Sequence, residues 1–127
     1  MTRYVVDASV LLAIFRGETG ADIASERLPS ASMSAVNASE ALMRGAEKGT
    51  PPAMMLELLA AQEVRIVPFD SELAVATAEL QPATKHRGLS FADRACIATA
   101  AKLGATIVTA DRVWAELDLP CPVELIR

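Results

Sequence analysis

The sequence predicts an α/β fold in which helices cover both faces of a mainly parallel sheet. Short β-branched runs alternate with helical segments along the chain, and this alternation is typical of βαβ units. Two of the runs, at 3–7 and 105–111, end in an acid, Asp7 and Asp111. Ligands of open α/β sheets bind outside the carboxyl ends of the strands, so both acids are candidates for one site.

Composition indicates one domain, residues 1–127, with a single core. Hydrophobic residues make up 52% of the chain, which is enough for one core. The formal net charge of −4 argues against binding nucleic acid mainly through overall electrostatic attraction. The two cysteines lack metal-ligand spacing and the density of a disulfide scaffold, which favours a reducing compartment. No signal-peptide pattern or bilayer-length apolar run is present, so we expect a cytoplasmic protein without a membrane segment.

The individual elements follow from caps, prolines and apolar periodicity. Ser9 and Ser34 are expected to cap helices, and Gly17 and Gly49 to end them. Helices are predicted at 10–15, 21–28, 35–48, 54–62, 71–80, 91–103 and 112–116. Further strands are predicted at 31–34, 64–67, 106–109 and 123–126. Residues 82–89 are expected to form a polar loop.

Glu40 occupies an unusual place in its helix. On a helical projection it lies at the shoulder of an apolar stripe that includes Leu42 and Ala46, which is a poor position for a purely solvated side chain. The alternative is an exposed glutamate that pairs with Arg44 one turn later. The periodicity leaves both interpretations open.

Asp93 shares a helix face with apolar residues such as Cys96 and Ala100, so it is expected to point inward. The competing interpretation is a capping box with Ser90, in which a first-turn acid gains from the helix dipole without any chemistry. Asp7 and Asp111 have the same alternative, because an acid that follows a strand often caps the next helix.

Convergence of the four acids on one edge of the sheet favours a shared site. Two carboxylates ~4 Å apart repel by about 4 kcal/mol at an effective dielectric constant of 20. Such a group must take up protons or bind a cation. An all-oxygen set without His or Cys suits Mg²⁺ or Mn²⁺ better than zinc.

Four short motifs resemble, in order and spacing, the acidic motifs of PIN-domain nucleases, in particular the VapC-type toxins of toxin–antitoxin pairs. The motifs are Val5-Val6-Asp7-Ala8-Ser9, Ser34 to Glu40, Leu89-Ser90-Phe91-Ala92-Asp93 and Val108-Thr109-Ala110-Asp111. The resemblance covers essentially the whole chain. It implies a three-layer α/β/α sandwich, Mg²⁺- or Mn²⁺-dependent endonuclease activity on single-stranded RNA, a homodimer, and inhibition by a VapB-type antitoxin that occupies the acidic groove.

Carried over by match, the catalytic acids would be Asp7, Glu40, Asp93 and Asp111. Of the metal ligands Asp7, Asp93 and Asp111, we expect Asp7 and Asp93 to hold the ion directly, whereas Asp111 and Glu40 act directly or through water and could activate the nucleophile. The hydroxyls of Ser9 and Thr109 would support the metal, although a cap and a strand-end hydroxyl would look the same.

Arg94 and Arg112 each adjoin a site acid and could hold substrate phosphates, or they could be ordinary surface charges. With aromatic residues at 4%, a stacking platform for several bases is not expected, although Trp114 could take one base.

Two other classes remain as alternatives. A receiver-like regulatory domain also binds Mg²⁺ in a strand-end acid pocket, but it expects adjacent acids after the first strand and a phosphoacceptor aspartate after a central one. Here Asp7 stands alone and the strand at 64–67 ends at Pro68. The other alternative is a non-catalytic PIN-like binding module.

Overall fold

The computed structural model describes residues 3–127 and contains one five-stranded parallel sheet. The strands are β1 (Tyr4–Val6), β2 (Ser32–Ser34), β3 (Arg65–Val67), β4 (Thr106–Thr109) and β5 (Val123–Leu125). The helices are α1 (Ala8–Arg16), α2 (Ala21–Arg27), α3 (Ala35–Glu47), α4 (Pro52–Ala61), α5 (Ser71–Glu79), α6 (Gln81–Thr84) and α7 (Phe91–Leu103). Two 3-10 turns cover Lys85–Arg87 and Arg112–Glu116.

Strand order decides where a ligand can bind. The order across the sheet is β3-β2-β1-β4-β5, so the chain moves outward from β1 to β3 and then returns to place β4 on the other side of β1. A crevice forms outside the carboxyl ends of the strands where the direction of winding changes, here between β1 and β4. This order also contradicts the receiver-like alternative, because such domains wind as 2-1-3-4-5.

Both faces of the sheet are covered, which confirms the predicted α/β/α sandwich. Because side chains alternate along a strand, Val6 and Val108 pack on one face with buried residues of α1, α2, α3 and α4. Val5 and Ile107 pack on the other face with buried residues of α7. β1 and β4 therefore run through the middle of two apolar layers.

Most of the predicted elements are confirmed. Helix α7 and the strand β4 begin and end at the predicted residues, and Ser34 caps α3 by accepting a hydrogen bond from the Val36 N–H at 3.2 Å. Gly17 ends α1 with a φ of +61°, a conformation in which glycine is favoured. Within residues 3–127, every helix is too short or too polar to cross a bilayer.

Two predictions of local structure were wrong. Helix α1 begins at Ala8, and its cap is Asp7 rather than Ser9. Residues 82–89 are not an irregular loop, because α6 and a 3-10 turn occupy most of that segment. Pro82 is tolerated in the first turn of α6, and the buried Thr84 hydroxyl donates to the Leu80 carbonyl at 2.7 Å.

Candidate active site

Asp7 lies at the carboxyl end of β1, at the crevice between β1 and β4. Its carboxylate caps α1 because Oδ1 accepts from the Ser9 N–H at 3.1 Å. Asp7 is nevertheless only 6% exposed, so this acid is buried at the carboxyl end of β1 and not in contact with bulk solvent. A buried carboxylate is rarely retained without a functional or ionic partner.

Ser9 and Thr109 hold this carboxylate between two elements. The Ser9 hydroxyl donates to Asp7 Oδ1 and accepts from the Ala110 N–H at 3.0 Å. The buried Thr109 hydroxyl donates to Asp7 Oδ2 at 2.9 Å and accepts from the Asp111 N–H at 3.1 Å. The two predicted supporting hydroxyls therefore connect Asp7 to the turn that carries Asp111.

Asp93 and Asp111 each cap a helical segment, as the competing interpretation expected. Asp93 Oδ2 accepts from the Ser90 N–H at 2.9 Å, and the Asp93 N–H donates to the Ser90 hydroxyl at 3.1 Å, which completes a capping box. Asp111 Oδ1 accepts from the Val113 N–H at 3.0 Å. Each cap uses one oxygen, so the second oxygen of each carboxylate is not committed to it.

The charges of the three aspartates act on one another. Burial raises the pKa of Asp7 from 3.8 to about 6, against hydrogen bonds from Ser9 and Thr109 that lower it, and the charge of Asp93 adds to the rise. Burial also raises the pKa of Asp93, against hydrogen bonds from Ser90, and the charge of Asp111 adds to this rise. Asp93 is therefore coupled by charge to Asp7 on one side and to Asp111 on the other.

No basic side chain neutralises this negative charge directly. Across residues 3–127, the Lys and Arg ion pairs involve other acids, and none includes Asp7, Glu40, Asp93 or Asp111. The nearby charge of Arg94 lowers the pKa of Asp93, but its guanidinium donates to the Leu89 carbonyl at 2.8 Å. A cation from solution would relieve the repulsion that remains.

The donor set fits a hydrated Mg²⁺ or Mn²⁺ in its chemistry. In the described part of the chain, no three His, Cys, Asp or Glu side chains are close enough to enclose an ion. Magnesium does not require such a cage, because it keeps several waters and binds through one or two carboxylates plus substrate phosphates. Asp93 and Asp111, which are coupled by charge and each keep an uncommitted oxygen, suit that mode of binding.

Glu40 lies apart from the hydrogen-bonded network of the aspartates. It is half-buried on α3, and the expected alternative pairing with Arg44 is not formed, because Arg44 lies 3.8 Å from Glu47 instead. The buried Asn37, one turn before Glu40, donates from Nδ2 to the Ala92 carbonyl at 3.0 Å. This bond brings the Glu40 side of α3 to the first turn of α7, the turn that carries Asp93.

Sequence reasoning missed Asn37, although an Asn three residues before Glu40 on an apolar helix face was a usable signal. The suggestion that Trp114 stacks on a base was wrong, since its side chain is fully buried.

Two exposed residues lie beside site acids in the chain. Arg112 is next to Asp111, and Phe91 begins α7 two positions before Asp93.

The parallel α/β sheet holds a buried aspartate, Asp7, where the direction of winding changes between β1 and β4. Asp93 is coupled by charge to Asp7, and Asp111 is coupled by charge to Asp93. These features define a class of α/β proteins with an acidic site whose oxygen ligands suit divalent cations. The chain belongs to the PIN domain family, because the model of that family matches residues 4–119. No curated protein matches the chain in sequence.

Solved structures show the same fold across the whole chain. A DNA-bound VapBC from Salmonella typhimurium superposes with a TM-score of 0.72 at 18% identity and 100% coverage of both chains. A DNA-bound VapBC2 from Rickettsia felis gives 0.76 at 13% identity, with 98% of each chain covered. VapC20 from Mycobacterium tuberculosis, described as a Sarcin-Ricin loop cleaving toxin, gives 0.74 at 17% identity, with 89% of this chain and 93% of that chain covered.

Proposed function

We propose that this protein is a metal-dependent endoribonuclease that cleaves single-stranded RNA. The observation that carries the proposal is the buried Asp7 at the change of winding, coupled by charge to Asp93, in a chain of the PIN domain family. The likeness to a Sarcin-Ricin loop cleaving toxin supports RNA as the substrate. The catalytic carboxylates in this proposal are Asp7, Glu40, Asp93 and Asp111.

Mg²⁺ or Mn²⁺, held by Asp7, Asp93 and Asp111 directly or through water, would supply a nucleophilic water at neutral pH and offset charge on the scissile phosphate. The protein's own contribution is a carboxylate whose position is fixed on both oxygens by Ser9 and Thr109. Preorganised ligands of this kind need no rearrangement when substrate arrives.

The remaining groups have separate roles. Glu40, on the side of α3 nearest the first turn of α7, is suited to accept the proton of the attacking water. Arg94 and Arg112 supply positive charge next to site acids and bind the substrate, and Arg112 is suited to the phosphates that flank the scissile bond. A protein of net charge −4 needs such local cations to bind RNA.

We further propose that the protein acts as the toxin of a toxin–antitoxin pair in the cytoplasm and forms a homodimer. Its structural neighbours include VapBC complexes, which supports a VapB-type antitoxin as the partner. Helix α4 exposes three large apolar side chains that a partner would cover: Met54, Leu56 and Leu58.

Cleavage of single-stranded RNA by the purified protein tests the enzymatic part. With Mg²⁺ or Mn²⁺, Asp7→Asn and Asp93→Asn should each lose more than the ~100-fold that loss of an outer-shell partner costs. Asp70→Asn is the matched control, because Asp70 also caps a helix, α5, by accepting the Leu73 N–H at 3.0 Å, whereas its charge is paired with Lys102 at 3.5 Å. Full activity in either site variant, or activity that survives EDTA, would refute the assignment.

A further inference from the structure

A cavity of about 420 Å³ lies beside the first turn of α7, between α5 and α7. Its volume falls within the roughly 300–1,000 Å³ that small-molecule sites span. Two aromatic rings, one guanidinium, one hydroxyl and one amide line it together with two alanines of α5; the larger residues are Phe69, Thr77, Gln81, Phe91 and Arg94. None of the lining residues is acidic.

Phe69 and Phe91 form an aromatic wall of this cavity. Their ring centroids are 5.6 Å apart with the planes at 90°, and the Phe91 side chain is 51% exposed. Phe91 begins α7, two residues before Asp93, and Phe69 follows β3, so both lie at the sheet edge that carries the site acids. An exposed aromatic ring at this position is an available stacking surface.

Two of the polar side chains that line the cavity have hydrogen-bonding capacity that the protein does not use. Arg94 is held by the Leu89 carbonyl at 2.8 Å, and a guanidinium has five N–H donors, so most of its donors remain. Thr77 is buried, and its hydroxyl has no hydrogen-bond partner within residues 3–127. A buried hydroxyl without a protein partner is costly, and it keeps both a donor and an acceptor for a ligand.

We infer that this cavity binds one nucleobase of the RNA substrate, next to the scissile phosphate. The inference rests on the proposed function, because it names the part of an RNA that would lie beside Asp93. The base stacks on Phe91 and turns its hydrogen-bonding edge toward Arg94 and Thr77. Since guanidinium donors pair best with two adjacent acceptors, guanine with its O6 and N7 is the favoured base.

This arrangement gives a chain with few aromatic residues a way to choose its cleavage position. A base is uncharged, so its binding does not suffer from the net negative charge of the protein. The phosphate is then held at the acids only when the right nucleotide fills the cavity beside them. Recognition of the base and cleavage of the adjacent phosphodiester would be coupled through one helix, because Phe91, Asp93 and Arg94 share the first turn of α7.

Equilibrium binding without turnover tests the inference independently of catalysis. In EDTA, oligouridine heptamers with A, C, G or U at the centre are titrated against the wild type, Phe91→Ala and the matched control Phe15→Ala. Phe15 is also an exposed phenylalanine, at 47%, but it lies at the far end of α1 and outside this cavity. We expect Phe91→Ala to weaken the binding of the heptamer with a central G by about 10-fold, since stacking accounts for such factors. The same variant should abolish the difference in affinity among the four heptamers.

Thr77→Val provides a second variant that preserves side-chain shape. Removing a hydroxyl that has no partner should leave the melting temperature unchanged or raise it, while base discrimination falls. Phe91→Tyr keeps the ring and should keep the preference. A wild type that binds all four heptamers equally, or a preference that survives both Phe91→Ala and Thr77→Val, would overturn the inference.

The two proposals fail in different ways. A wild-type protein that cleaves RNA with a base preference unchanged by Phe91→Ala refutes the nucleobase cavity alone. A protein that cleaves no RNA in Mg²⁺ or Mn²⁺ but binds the heptamers with a Phe91-dependent preference refutes the nuclease and supports the cavity. If Phe91→Ala alters only self-association, measured by light scattering, the ring serves a protein interface and the inference is wrong.

Discussion

Replacing Asp7 by Asn should stabilise the metal-free protein at neutral pH. Burial raises the pKa of Asp7 from 3.8 to about 6, and a shift of about two units corresponds to about 3 kcal/mol of destabilisation once the folded carboxylate is charged. Asparagine keeps an oxygen that accepts from the Ser9 N–H, but its NH2 group replaces the oxygen that accepts from the Thr109 hydroxyl. The loss of this hydrogen bond lowers the free energy of unfolding by about 1 kcal/mol. The net gain in the free energy of unfolding at pH 7.5 is therefore about 1–2 kcal/mol.

The dependence on pH has a definite sign. The folded state holds the Asp7 proton more tightly than the unfolded state, so the stability of the wild type falls as pH rises through the interval between 3.8 and about 6. At pH 5 the native carboxylate is mostly protonated, and the advantage of Asp7→Asn should shrink by about 1.4 kcal/mol relative to pH 7.5. Urea denaturation in EDTA at both pH values measures this difference.

Asp70→Asn is the control for this experiment. Hydrogen bonding from the Leu73 N–H lowers the pKa of Asp70, so its contribution to stability is complete above the ordinary value of 3.8 and is lost only below it. The stability of Asp70→Asn relative to the wild type should therefore be the same at pH 5 and pH 7.5. Lower stability of Asp7→Asn than of the wild type at pH 7.5, or a stability difference between them that does not change with pH, would contradict this prediction.

Three other substitutions or treatments have expected outcomes. Thr109→Val removes the hydroxyl that donates to Asp7 and should weaken Mn²⁺ binding about 10-fold in calorimetry, whereas equal affinity would show that this hydrogen bond is irrelevant. Gly20→Ala should lower the free energy of unfolding by at least about 2 kcal/mol in urea titrations, because φ is +94° and a Cβ would lie 2.4 Å from a carbonyl oxygen; wild-type stability would contradict this. Burial raises the pKa of the Cys96 thiol well above its usual value and that of Cys121 to about 11, so neither should react with iodoacetamide at pH 8 until the protein is unfolded, as mass spectrometry would detect.

The sequence predicts the sheet and two of its acids because the relevant signals are local. An apolar β-branched run that stops at an acid fixes both the strand and the carboxylate at its end, as at Asp7 and Asp111. The bounds of α7 agree with the prediction, and the structure shows why they are sharp, because Ser90 caps the start of the helix and Gly104 ends it in a left-handed conformation. Fold class follows from such signals taken together.

Strand order and side-chain contacts between distant segments were beyond that reasoning. No local pattern tells that β4 returns to the centre beside β1 rather than to an edge. The edge-to-face pair of Phe69 and Phe91 joins the segment that follows β3 to the start of α7, with α5 and α6 between them in the chain. The burial of Trp114 depends on the packing of α7 over β1 and β4. Periodicity also left two roles open for Asp93, and the capping box shows that one side chain can cap a helix and remain coupled by charge to Asp7.

Calorimetric titration with Mn²⁺ at pH 7.5 tests most directly whether these carboxylates form a divalent-cation site. The wild type should bind Mn²⁺ with heat that disappears in Asp7→Asn and Asp93→Asn and is retained in Asp70→Asn. Absence of binding by the wild type, or equal binding by all four proteins, would contradict the account and leave a PIN domain whose acids only cap helices.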